Sequence, residues 1–146
     1  MSELTLQISC SISTTDPLAT LGLEIHLDDQ VVFDADHVSE VVNFTHDLSD
    51  DDAEHCLKFV MKNKTDKDTT IDDDGNIVED ACLVISDVEF DKIKLGQILI
   101  DQATYTHNFN GTHPETQEKF YGTIGCNGTV SLEFSTPVYL WLLEHM

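Results

Sequence analysis

Residues 4–13 read LTLQISCSIS, and this stretch decides the fold class. Apolar and polar side chains alternate along it without a break. Its apolar members are Leu4, Leu6, Ile8, Cys10 and Ile12. A period of two places successive side chains on opposite faces of an extended chain, so one face is apolar and the other polar. The stretch therefore predicts a β-strand that covers one side of a hydrophobic core.

The same alternation recurs along the chain. Residues 21–33 read LGLEIHLDDQVVF, and the polar break at 28–30 between two apolar runs predicts a β-hairpin. The pattern changes face near Ser86 and Asp87, which predicts a β-bulge. Asn127-Gly128 is a hairpin signal before the alternating residues 130–135. Other short strands are predicted at 42–44, 57–61, 83–90, 93–100, 104–109 and 120–124.

Two segments allow a helix as well as a strand or turn. Ser49 followed by Asp52 has the form of a helix-capping box, although we expect a turn at 50–55. Residues 137–143, PVYLWLL, are apolar on both faces and predict either a buried strand or a short packed helix. With roughly eight to ten short strands and no linker, residues 1–146 are predicted to form a single all-β domain. The predicted architecture is an antiparallel two-sheet β-sandwich of the jelly-roll type.

The charge balance restricts the class of partner. The 146 residues include 28 Asp and Glu but 7 basic residues, giving a formal net charge of −21. All the basic residues are lysines, so the chain lacks the guanidinium fork that grips phosphate. We therefore expect no nucleic acid and no membrane partner. The sequence also has no apolar run of about 18 residues and no secretory signal, which predicts an unprocessed protein.

Residues 63–80 form the most acidic segment and turn at Asp74-Gly75. Calcium takes oxygen ligands from clustered carboxylates, so this segment is a candidate metal site. The candidate ligands are Asp66, Asp68, Asp72 and Asp74. The segment is not an EF-hand: with Gly75 at the sixth loop position, Thr70 and Ala81 occupy the first and twelfth. The alternative is a solvated run of charge.

No catalytic motif stands out, so we predict that the protein is not an enzyme and has no catalytic residue. The histidines lack metal-site spacing, and no nucleophile elbow or phosphate-binding loop occurs. A carboxylate pair for glycoside hydrolysis remains an alternative, because the sequence does not give the distance between any two carboxyl groups. Four cysteines lie far apart in the sequence, and we expect them to be free, buried thiols. The alternative is two disulfides, which four cysteines can form in three different pairings. The four cysteines are Cys10, Cys56, Cys82 and Cys126.

Residues 23–32, LEIHLDDQVV, and 55–63, HCLKFVMKN, resemble calcium-dependent xylan-binding carbohydrate-binding modules. This resemblance implies a jelly-roll sandwich that binds calcium and sugar. Sugar-binding sites use aromatic side chains as contact surfaces. The candidate ligand-binding residues here are Tyr105, Phe109 and Tyr121, with Trp141 as a further aromatic candidate.

Residues 71–78, 105–112 and 136–144 look like stretches of small acidic proteins encoded by marine tailed bacteriophages, notably cyanophages. This resemblance implies a product made in the cytoplasm of a bacterial host and incorporated in a virion. The expected function is a non-catalytic, virion-associated β-sandwich that binds cell-surface carbohydrate with calcium. The alternative is a structural or accessory virion protein that contacts other virion proteins and binds no sugar.

Overall fold

A computed structural model describes residues 5–49, 52–65, 69–71, 73–75, 77–108 and 114–145, with the backbone alone at 69–71 and 77–80. Within these ranges the chain forms thirteen strands and two short helices. They are β1 (Thr5–Thr14), β2 (Gly22–Leu27), β3 (Gln30–Ala35), β4 (Val42–Ser49), β5 (Glu54–Lys62), β6 (Thr69–Ile71), β7 (Ile77–Asp80), β8 (Leu83–Phe90), β9 (Ile93–Lys94), α1 (Gln97–Gln102), β10 (Thr104–His107), β11 (Thr116–Lys119), β12 (Thr123–Ile124), β13 (Gly128–Ser135) and α2 (Val138–His145). Neither helix has the length or the apolar run needed to cross a bilayer.

The strands form two main antiparallel sheets. The five-stranded sheet has the order β12-β8-β1-β4, with β9 also paired to β8. The six-stranded sheet has the order β11-β10-β13-β5-β2-β3. Strands β6 and β7 form a separate hairpin. The predicted all-β, antiparallel two-sheet sandwich is confirmed.

The inner faces of the sheets build one hydrophobic core. Along β1, every second residue from Leu6 to Ile12 is buried, as the sequence predicts. Phe90 of β8 and Phe134 of β13 come from different sheets, and their ring centroids lie 4.8 Å apart. Burial of these apolar faces is the main stabilising term of the sandwich.

The predicted hairpin at 21–33 is confirmed. Asp28 and Asp29 form the turn between β2 and β3, with φ angles of 51° and 66°. Positive φ at both central residues is the signature of the type I′ turn, whose twist matches that of the flanking strands. The Asp-Gly turn is also present between β6 and β7, where Gly75 has φ 84°.

The predicted bulge lies in β8. The pairing of β1 with β8 shifts register between Ser9 and Ser11, so β8 contains one extra residue there. Asp87 in this interval has φ 54°. The bulge returns Val88 and Phe90 to the buried face after exposed Ser86 and Asp87.

The strand predicted at 93–100 is wrong over most of its length. Only Ile93–Lys94 is extended, and Gln97–Gln102 forms α1. The buried residues Leu95, Ile98 and Leu99 have the spacing i, i+3 and i+4, which suits one face of a helix.

Of the two structures predicted for the C-terminal segment 137–143, the short packed helix is the one observed, as α2. Its buried residues Val138, Trp141 and Leu142 again have the spacing i, i+3 and i+4. Of the predicted turn at 50–55, residues 50 and 51 lie outside the described ranges, and β5 begins at Glu54.

Cys10 and Cys56 have free thiols, and the expectation that all four cysteines are buried is wrong. Cys10 is 4% exposed, and burial raises the pKa of its thiol to about 12. The other three are half-buried.

Candidate functional site

A cleft opens at one end of the six-stranded sheet, where the β2–β3 turn, the start of β5, the end of β13 and helix α2 meet. Its volume is about 630 Å³, within the range of small-molecule sites. We call it the acidic cleft. Its lining residues are Asp28, Asp29, Glu54, His55, Cys56, Gln102, Glu133, Phe134, Ser135 and Trp141.

Asp28 fixes the β2–β3 turn against β5. Its Oδ1 accepts a hydrogen bond from the Cys56 backbone N–H at 2.8 Å, and its own N–H donates to the Cys56 carbonyl at 2.9 Å. Its Oδ2 lies 2.6 Å from Nδ1 of His55, whose side chain is 9% exposed. The turn therefore has a fixed position at the edge of the cleft.

His55 also connects this turn to the start of α2. Its Nε2 lies 3.4 Å from the Thr136 hydroxyl, so the order Asp28, His55, Thr136 is that of an acid, base and hydroxyl triad. The Thr136 hydroxyl is buried and bonds both the N–H and the carbonyl of Ala53 at 3.3 Å. These backbone bonds hold the hydroxyl in place. The hydrogen-bonded series Asp28, His55 and Thr136 therefore stabilises one side of the cleft.

The acidic cleft has a strongly negative lining. It contains the carboxylates of Asp28, Asp29, Glu54 and Glu133, and none of its described lining residues is a lysine. Beside the cleft, Nζ of Lys58 lies 3.5 Å from Oδ1 of Asp29. Clustered carboxylates repel anions and offer many hydrogen-bond acceptors to hydroxyl or ammonium groups.

Two aromatic residues complete the lining. Trp141 packs on Phe90 at 5.9 Å and meets Phe134 edge to face at 6.3 Å between ring centroids. Trp141 lines the cleft but is only 5% exposed, so most of its ring lies in the core.

A second cavity, of about 500 Å³, lies beside β5, β13 and β10. We call it the face groove. Its lining is mostly uncharged and polar, unlike that of the acidic cleft. It comprises Lys58, Thr106, His107, Asn108, Glu115, Asn127, Gly128, Thr129 and Ser131. Hydroxyl and amide groups of this kind both donate and accept hydrogen bonds.

The structure does not bring the predicted ligand-binding residues together at either cavity. Tyr105 is buried; its hydroxyl donates to the Cys126 carbonyl at 2.6 Å and accepts from the Cys126 N–H at 2.8 Å. Burial raises the pKa of this hydroxyl. A ring held in the core offers no face to a sugar, so Tyr105 is corrected to a core residue. Tyr121 is 73% exposed but lines neither cavity, and Phe109 lies outside the described residues.

Of the predicted calcium ligands, Asp66, Asp68 and Asp72 lie outside the described residues. Asp74 is exposed in the turn between β6 and β7. Across the part of the chain that the structure describes, no three His, Cys, Asp or Glu side chains are grouped so as to hold a metal ion.

Sequence reasoning missed the acidic cleft. The polar residues Asp28 and Asp29 predict a turn, because the signal for a turn lies in neighbouring residues of the sequence. Glu54 and Glu133 come together because β5 pairs with β13, placing Ser135 opposite Glu54 and Glu133 opposite Cys56. Only the register of two distant strands reveals this arrangement.

Neither a protein-family model nor a curated protein matches the chain. Among solved structures, a match is found to "vCBM60 in complex with galactobiose". The two chains share 10% sequence identity with a TM-score of 0.44, and the match covers 86% of this chain and 96% of the other.

Substitutions in the β2–β3 turn test the role assigned to Asp28. We expect Asp28→Gly to lower the free energy of unfolding by about 2 kcal/mol, because it removes the acceptor of Cys56 and the partner of His55. Asp29→Gly is the matched control: it relieves a positive φ and should leave stability unchanged or raise it by about 0.5 kcal/mol. Urea unfolding measures both values, and equal losses in the two variants would contradict the anchoring role.

Proposed function

We propose that this protein is a non-catalytic carbohydrate-binding β-sandwich and that the sugar binds in the acidic cleft. The observation that carries the proposal is the composition of one open cavity, which combines carboxylates, an amide, a hydroxyl and two aromatic residues. Sugars present hydroxyl groups that need hydrogen-bond acceptors and apolar C–H surfaces that pack against aromatic rings. The acidic cleft supplies the acceptors, and the small exposed parts of Phe134 and Trp141 supply a limited apolar area.

The charge of the acidic cleft indicates the class of sugar. Four carboxylates without a lining lysine disfavour uronic acids, sialic acids and sulfated glycans, because like charges repel. Neutral sugars avoid this repulsion, and their hydroxyls can donate to Glu54 and Glu133. Cell-surface glycans built from neutral units are therefore the proposed ligands.

A Glu133→Gln variant tests the binding site. We expect it to weaken binding of a neutral oligosaccharide by about tenfold, since one charged acceptor is lost. A panel of immobilised neutral, acidic and amino oligosaccharides identifies the ligand, and calorimetry then compares the variants. Glu40→Gln makes the same charge change at an exposed site outside the cleft and should bind as the wild type does. Absence of binding throughout the panel, or equal binding by Glu133→Gln, would overturn the proposed function.

We further propose that calcium supports sugar binding through the acidic segment 63–80. The support is the density of carboxylates in the sequence, together with the resemblance of residues 23–32 and 55–63 to calcium-dependent modules. The proposed ligands are Asp66, Asp68, Asp72 and Asp74.

Thermal unfolding with added calcium tests this proposal. A ligand that binds only the folded state adds about 2.7 kcal/mol at one hundred times its Kd. We expect calcium at that level to raise Tm by about 5 to 10 °C. The double variant Asp72→Asn with Asp74→Asn should lose the shift. Sodium at matched ionic strength is the control, and an equal shift with sodium would show charge screening in place of a site.

We also propose that the protein is made in the cytoplasm of a bacterial host and carried on a phage particle. The resemblance of residues 71–78, 105–112 and 136–144 to phage proteins supports this location. A specific observation favours assembly as a second candidate function: Tyr139, Leu140 and Leu143 of α2 are 52%, 59% and 68% exposed. Exposed apolar groups on one helix are typical of a contact with another protein.

Mass spectrometry of purified particles tests both ideas. We expect the protein in the particle, and we expect Leu140→Ser with Leu143→Ser to reduce its incorporation because apolar contact area is lost. Leu18→Ser changes a 91% exposed leucine elsewhere and is the control. Absence of the wild-type protein from particles would exclude a virion role, and normal incorporation of the α2 variant would exclude this helix as the contact.

A further inference from the structure

We propose that the acidic cleft and the face groove form one continuous binding surface for a linear oligosaccharide, with Lys58 at their junction. The inference rests on the proposed function and extends it from a single sugar site to a chain-binding surface. It follows from the register of β5 and β13, from the contact between Lys58 and Asp29, and from the chemistry of the two cavities.

The register places outward-facing residues of the two cavity linings next to each other on the six-stranded sheet. Cys56 pairs with Glu133 in the lining of the acidic cleft, and Lys58 pairs with Ser131 in the lining of the face groove. Residues two positions apart on a strand point to the same face and lie about 7 Å apart. The two pairs are successive outward-facing rows of the same strands, so the linings of the two cavities meet between Cys56 and Lys58.

Lys58 connects the two cavities through its contacts. It lines the face groove, and its Nζ lies 3.5 Å from Oδ1 of Asp29, which lines the acidic cleft. The Lys58 side chain is 34% exposed and that of Asp29 is 90% exposed. Water screens an ion pair this exposed, so the pair is weak and a ligand can replace it at little cost. The ammonium group can then donate to a sugar oxygen at the junction.

The face groove continues with groups suited to a neutral chain. Thr129 and Ser131 lie on β13, and Thr106 of β10 pairs with Thr129 across the ladder. Hydroxyls of this kind donate and accept, as sugar hydroxyls do. The acidic cleft, by contrast, is dominated by acceptors. The two ends of the ligand therefore meet different hydrogen-bonding environments, which favours one direction of the chain.

Chain-length dependence tests the inference. Calorimetry with cello-, xylo- and galacto-oligosaccharides, from monosaccharide to hexasaccharide, should show wild-type affinity rising at least about tenfold beyond the disaccharide in the series that binds. Lys58→Met removes the junction ammonium, and Ser131→Phe fills the groove at a position on the outer face. Both variants should lose most of the advantage of the long chains, and Ser131→Phe, which lies outside the acidic cleft, should keep disaccharide affinity within about twofold.

Two controls separate this inference from the proposed function. Lys94→Met makes the same charge change on the five-stranded sheet and should keep the full chain-length dependence. Ser131→Ala leaves the groove open. Comparing the Tm of Ser131→Phe with that of Ser131→Ala shows whether a loss of binding in Ser131→Phe comes from misfolding. If affinity is independent of length, or if Lys58→Met and Ser131→Phe bind long chains normally, the extended surface is overturned, while sensitivity to Glu133→Gln would still support the cleft. Absence of binding by every oligosaccharide would overturn both.

Discussion

The pairing of β5 with β13 is the constraint on which the rest of the molecule depends. It joins Glu54–Met61 to Gly128–Ser135 in an unbroken antiparallel register at the centre of the six-stranded sheet. The inner faces of both strands supply core residues, among them Phe59 and Leu132. Their outer faces supply residues of both cavities. The same register thus determines how the core packs and which polar groups meet at the surface.

The strand faces and turns could be predicted because their signals are local. Alternation along β1 identified Leu6 and Ile8 as core residues, and the polar pair Asp28-Asp29 marked a turn. The cleft could not be predicted, since Glu54 and Glu133 converge only through the register of distant strands. Tyr105 shows the reverse failure: its type suggested a sugar contact, whereas the fold satisfies its hydroxyl at Cys126. Helix α1 was missed because its short apolar run fits either period.

The distribution of the few lysines explains why the cleft keeps its charge. Lys62 lies 2.6 Å from Asp34, with Glu24 and Asp36 at 3.3 Å, and its hydrogen bond to Asp34 is the main reason that its pKa is raised. One cation therefore balances a cluster of carboxylates near β2 and β3. In the acidic cleft, the structure gives no equivalent lysine among the described lining residues. The negative potential is consequently concentrated where Glu54 and Glu133 lie.

The position of Trp141 has a practical consequence. It is the single tryptophan of the sequence, and it stands in the lining of the acidic cleft with His145 at 4.9 Å between ring centroids. Indole emission depends on the polarity and dynamics of its immediate surroundings. The tryptophan fluorescence of the chain therefore originates beside the cleft, which gives the protein a built-in optical reporter of changes there without any label.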